Sequence, residues 1–92
     1  QRENRKAHHA NGAAKVMEGE STDAYLVLMD GLPINTTVHL MNYMNNRDCY
    51  AKVVGEIPLK LKKENIIVVS ELVMRKLDVR DERFRVFVEY FK

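Results

Sequence analysis

The residue types best suited to chemistry in this chain are the histidine dyad His8-His9, the single cysteine Cys49, and the lysines Lys60, Lys62 and Lys63. A histidine pair can start a metal site, but such a site needs further ligands, and only His39 remains among the histidines. The dyad also sits in a polar, basic stretch with Arg2, Arg5 and Lys6 that shows no apolar period. Residues 1–9 therefore read as a flexible basic arm, and no metal or other cofactor is expected. Cys49 lies in an alternating run, where a lone cysteine reads as a small buried hydrophobe rather than a nucleophile. One cysteine permits no internal disulfide. The three lysines fall in a segment, residues 58–64, that reads as a solvated basic loop; the sharper reading is a contact with an anionic ligand.

The elements that would position these groups are short. Ninety-two residues allow one domain with one compact core. The composition, 46% hydrophobic and 30% charged, is that of a folded domain rather than a disordered chain. A net charge of +2 is too small to argue for nucleic acid. No apolar run approaches the roughly 18 residues of a membrane span. The chain starts at Gln1 without a methionine, so it reads as a fragment or a processed form, with any export signal already removed.

Asn11-Gly12 is a turn signal, and Ala13 to Glu18 is expected to form a first strand. Gly19 to Asp23 is a polar loop, Ala24 to Met29 a buried strand, and Asp30-Gly31 a turn. Thr36 to Tyr43 and Asp48 to Val54 pair as a hairpin, with Asn45-Asn46 able to adopt positive φ. Asn65 to Val69 is a further strand. Ser70 then caps a short helix over about 70–78, with Glu71 at its positive end and Arg75 and Lys76 at its negative end. In the last strand Phe84, Val86, Val88 and Tyr90 point one way, while Arg83, Arg85, Phe87 and Glu89 point the other. Phe87 and Phe91 interrupt an otherwise polar face, which marks them as a barrel-end cover or a partner contact. Many short strands with one short helix imply a closed all-β barrel, since closure removes exposed edges.

The order of these features resembles the double-psi β-barrel of the rare lipoprotein A (RlpA) family. The resemblance rests on Ala10-Asn11-Gly12, Leu32-Pro33-x-Asn35-Thr36-x-Val38, Asn42 with Met44-Asn45-Asn46-Arg47, Ile67-Val68-Val69-Ser70, and Leu77 through Val86. It looks closest to the version that follows LysM repeats in Bacteroidetes. It implies a small six-stranded double-psi barrel over residues 10–92, in the periplasm or at the outer membrane. Catalytic members are lytic transglycosylases, whose motif after the hairpin reads Asn-Asp-Arg-Gly-Pro. Here that stretch is Val54-Gly55-Glu56-Ile57-Pro58, so Gly55 stands at the acid. The family's histidine before Leu-Pro falls on Met29, and its aspartate before Leu-Ser falls on Val68.

Cleaving a glycan needs a carboxyl group with a tuned proton affinity at the scissile bond. The resemblance therefore implies a barrel without catalytic residues. Three roles compete. The first is a docking or structural subunit of an envelope protein complex, with Phe87, Phe91, Arg2, Arg5 and Lys6 as contacts. The second is a peptidoglycan glycan-binding relic of the groove, centred on Asp30, Tyr50, Gly55 and Glu56. The third is a transglycosylase with displaced acids, Asp30 and Glu56. The docking role is preferred, because the chain has no tryptophan and no aromatic-rich groove.

Overall fold

The computed structural model describes residues 6–17 and 24–91. Six strands form a closed barrel in the order β1-β5-β2-β4-β3-β6. They are β1 (Ala7–Val16), β2 (Leu26–Leu28), β3 (Thr37–Asn42), β4 (Asp48–Gly55), β5 (Ile67–Val69) and β6 (Arg83–Phe91). The sheet is mixed: β1 with β5 and β2 with β4 are parallel, and the other neighbours antiparallel. This is the expected all-β barrel, and its shape is compatible with the double-psi fold. Among the described residues, no helix is long and apolar enough to cross a membrane.

The alternating strands turn one set of side chains inward. Val38 and Leu40 from β3, Cys49, Ala51 and Val53 from β4, and Val86 and Val88 from β6 form the packed interior with Val27, Ile67 and Val69. Helix α2 (Glu71–Lys76) adds Val73 and the following Leu77 to the core. Its cap is Ser70, as expected, and that hydroxyl does more than cap. It accepts from the Val73 N–H at 3.4 Å and the Leu26 N–H at 3.2 Å, and donates to the Ala24 carbonyl at 2.9 Å. One fully buried hydroxyl thus ties α2 to the start of β2.

The β3–β4 hairpin is built from asparagines. Asn46 takes φ of 62°, a conformation asparagine accepts readily. The Asn42 carboxamide accepts from the Met44 N–H, and both Asn42 and Asn45 donate to the Leu77 carbonyl, at 3.0 and 3.1 Å. Those bonds satisfy a carbonyl that the end of α2 leaves open and anchor the hairpin to the helix.

Several expectations need correction. β1 starts at Ala7, so Ala7, His8 and His9 are strand residues paired with β6 rather than part of an arm. Asn11-Gly12 lies inside β1 and is not a turn. Gly12 is there for space: a Cβ would meet the Ile66 side chain at 3.0 Å. The basic segment 58–64 contains a second helix, the single turn α1 (Leu59–Lys62), opened by Pro58. Phe84 is half-buried, packing against the edge of the core. Arg2, Arg5 and the expected loop Gly19 to Asp23 lie outside the described residues.

Candidate functional site

The expected groove residues do not form one site. Asp30 and Gly55 are neighbours: the Met29 N–H donates to the Gly55 carbonyl at 3.0 Å, and the Ile57 N–H donates to Asp30 Oδ1 at 2.9 Å. A register shift after Val27 pairs Leu28 with Gly55, so β4 bulges beside this turn. The other Asp30 oxygen meets Lys62 Nζ at 3.0 Å. The Ile57 amide, then the Lys62 ammonium, hold the Asp30 carboxyl below the usual carboxylate range. Glu56 is exposed on the same turn. Tyr50 lies elsewhere, on the outer face of β4, two pleats or more from Gly55.

Close to the Asp30 turn is an open recess of about 740 Å³ walled by Lys15, Val16, Met17, Leu28, Pro58, Lys60, Leu61 and Val68. Val68 is the residue that the resemblance sets at an acidic position, and a Cβ on Gly55 would meet Leu28 at 3.3 Å. Among the described residues that wall the recess, none is a carboxylate.

A second region gathers chemistry that the sequence reading left scattered. Antiparallel register aligns His9 with Glu89, Glu89 with His39, and His39 with Tyr50. The four side chains make one row across β1, β6, β3 and β4. His9 Nε2 lies 3.2 Å from Glu89 Oε2, and His39 Nε2 lies 2.6 Å from Asp48 Oδ2. The His39 imidazole holds the Asp48 carboxyl below its ordinary range. The His39 and Tyr50 rings stack with centroids 4.5 Å apart. Beside the row is a shallow concavity of about 700 Å³, lined by Pro33 to Thr37, His39, Tyr50, Glu89 and Phe91. Its rim carries three exposed apolar side chains: Tyr50 at 64%, Ile34 at 63% and Phe91 at 53%. The loop that carries Ile34 is held by Asn35 at φ 77° and by the Thr36 hydroxyl donating to the Pro33 carbonyl at 2.7 Å.

Phe87 and Phe91, expected together on one contact surface, differ. Phe87 is half-buried between the His9 ring, at 5.3 Å, and the edge of Tyr43, at 6.2 Å. Phe91 remains exposed, and Lys6 is exposed just before β1. Cys49 is buried in the barrel, and burial, reinforced by the Asp48 charge, pushes its thiol up to about 11. A thiol so placed is an inert core group. Among the described residues, no three His, Cys, Asp or Glu side chains converge as a metal site would require.

His39, Asp48, Glu89 and Ile34 were missed. Counting back from the hairpin asparagines would have set His39 opposite Tyr50. No local pattern announces the β3–β6 and β1–β6 pairings that bring in Glu89 and His9.

No protein-family model matches this chain, and no curated protein matches it either.

Proposed function

We propose that the protein is a non-catalytic barrel of the bacterial cell envelope, of double-psi type and RlpA-like, that docks a protein partner. The observation that carries the reading is the contrast between recess and rim. Among the described residues that wall the recess where the resemblance would put glycan cleavage, Val68 and Leu28 included, none offers a carboxylate to a scissile bond. Asp30 is held ionised by Ile57 and Lys62, the wrong state for an acid that must donate a proton at neutral pH. The exposed trio Ile34, Tyr50 and Phe91 surrounds Glu89 on the opposite sort of surface, apolar and open. Such a patch suits a partner bearing apolar side chains and a cation to meet Glu89.

A second reading keeps the same surface for peptidoglycan glycan. The exposed ring of Tyr50 beside Glu89 and Asn35 favours it, since a sugar can lie on an aromatic face while carboxylate and amide take its hydroxyls. Two measurements separate the readings. Co-purification from envelope extracts should recover a stoichiometric partner that the double variant Tyr50→Ser, Phe91→Ser loses. Sedimentation with purified sacculi, sensitive to the same variant and without a protein partner, would instead favour the glycan. Neither reading survives if the purified protein releases anhydro-muropeptides from sacculi and Glu56→Gln abolishes that release.

A further inference from the structure

Barrel closure covers most strand edges, but among the described residues the first half of β1 has a neighbouring strand on one side only. β1 pairs with β6 along nearly its whole length, from Ala7 opposite Phe91 to Lys15 opposite Arg83. Its other neighbour, β5, reaches only Ala14 to Val16. Among the described residues no strand lies along the other side of Ala7 to Gly12. Ala7, His8, His9 and Asn11 are exposed there.

The direction of the free backbone groups follows from the bonds β1 does make. The Ala13 carbonyl accepts from the Ile66 N–H at 2.9 Å, and the Met17 N–H donates to the Val69 carbonyl at 2.8 Å, both on the β5 side. The Val16 N–H donates to the Glu82 carbonyl at 3.0 Å, on the β6 side. Alternation then puts the N–H and C=O of Ala7, His9 and Asn11 on the open edge. Nothing in the local sequence guards it. Natural edges are blunted by proline or by charged side chains, and Ala7-His8-His9-Ala10-Asn11-Gly12 contains neither proline nor an Asp, Glu, Lys or Arg.

We propose that this edge pairs antiparallel with the same edge of a second copy of the chain, about a twofold axis through His9. The spacing is self-complementary. His9 faces His9, Ala7 faces Asn11 and Asn11 faces Ala7, so each outward donor of this stretch meets an acceptor and the pair closes on itself. The register has a hard stop. Ile66 packs on Gly12 and uses the Ala13 carbonyl, so a neighbouring strand cannot slide past Gly12 toward β5. Lys6 falls opposite Gly12, which avoids opposing like charges. The proposal uses the strand edge, not the outer face of Tyr50 and Phe91, and is independent of what docks there.

The test uses the whole chain. Sedimentation velocity should show a monomer–dimer equilibrium that shifts toward dimer with concentration. Isotope-filtered NMR on a mixture of labelled and unlabelled protein should show a contact between the Hα of His8 and the Hα of Ala10 of the other copy, the close non-hydrogen-bonded pair of this register. Asn11→Pro removes an outward N–H while leaving the β6 ladder intact, and should return the protein to monomer. A chain that stays monomeric at millimolar concentration overturns the proposal, whether or not an unrelated strand binds the edge. So does a folded Asn11→Pro protein that still dimerises. If that variant does not fold, amide exchange in the unaltered protein decides. Ala7, His9 and Asn11 should become protected as concentration rises, and equal exchange at low and high concentration overturns the pairing.

Discussion

Asp30 and Asp48 are both carboxylates held below their ordinary range, yet they do different jobs. Asp30 is bound by the Ile57 backbone amide just after β4 and by the Lys62 ammonium of α1, so its two oxygens fasten both segments to the turn after β2. Asp48 is bound by an imidazole on the outer face, next to an exposed aromatic ring. A carboxylate that grips backbone fixes the path of the chain. One that grips a side chain leaves the surface around it free to rearrange. The first region is a structural turn where the sequence invited a catalytic reading, and the second is an accessible face where the sequence showed only alternation.

The strongest way to break that contrast is to remove the floor of the outer face. Leu40 is fully buried on β3 beneath the row that contains His39. Leu40→Ala should destabilise the protein by about 2–5 kcal/mol, a large part of the stability of a small domain. Urea unfolding would measure it. A cost below about 1 kcal/mol would mean that the face rests on no rigid floor.

Legibility in the sequence followed the same division. β6 was readable because its apolar and polar residues alternate, Phe87 and Phe91 apart, and the turn before it is charged. The α2 cap was readable because Ser70 and Glu71 satisfy local rules that need no tertiary partner. β1 was not, because Gly12 looks like turn chemistry when its real constraint is the Ile66 side chain far along the chain. α1 was hidden because a single turn rich in lysine shows no apolar period. Asp30 looked like a free acid because its partners are a backbone N–H, which no residue type reveals, and Lys62, far along the chain. The aligned row His9, Glu89, His39 and Tyr50 depends on strand order in a closed barrel, and order is set by long-range pairing.

Phe87 and Phe91 sharpen the comparison at the next scale. Phe87 sits between His9 and Tyr43, so Phe87→Ser should lower stability by about 1–2 kcal/mol through lost apolar burial and ring contacts. Phe91→Ser should leave the melting temperature nearly unchanged. Paired thermal melts are the measurement, and equal shifts in the two variants would erase the distinction between cover and contact.

The two carboxylates predict a pH response of known sign. Each has a folded pKa below its unfolded value. The stability each contributes is therefore present above the ordinary carboxylate value, about 3.9, and is lost as pH falls through the lower folded value. Asp30→Asn should melt at a lower temperature than the unaltered protein at neutral pH, and the gap should close on acidification below about pH 3–4. Asp48→Asn should behave likewise with a smaller gap, since its imidazole partner holds no backbone. Melting curves recorded from neutral pH to strong acid would check both. A gap for Asp30→Asn that stays constant with pH would show that the Lys62 and Ile57 contacts do not act on the charged form.

The smallest expected change is the most discriminating. Tyr50 is 64% exposed and stacks on His39 with one face only. Removing it deletes one stacking contact at the surface and opens no cavity, so Tyr50→Ser should alter stability by no more than about 0.5 kcal/mol. It should also leave the acid response of Asp48 in place, because His39 still bonds that carboxylate directly. A larger loss of stability would mean that the ring orders His39 and the hairpin beneath it, and the outer face would then be a structural element like the Asp30 turn. With stability unchanged, any loss of partner or sacculus binding in this variant reports on the surface alone. Tyr50→Ser compared with Asp30→Asn thus tests the division directly, with one substitution acting on recognition and the other on the path of the chain.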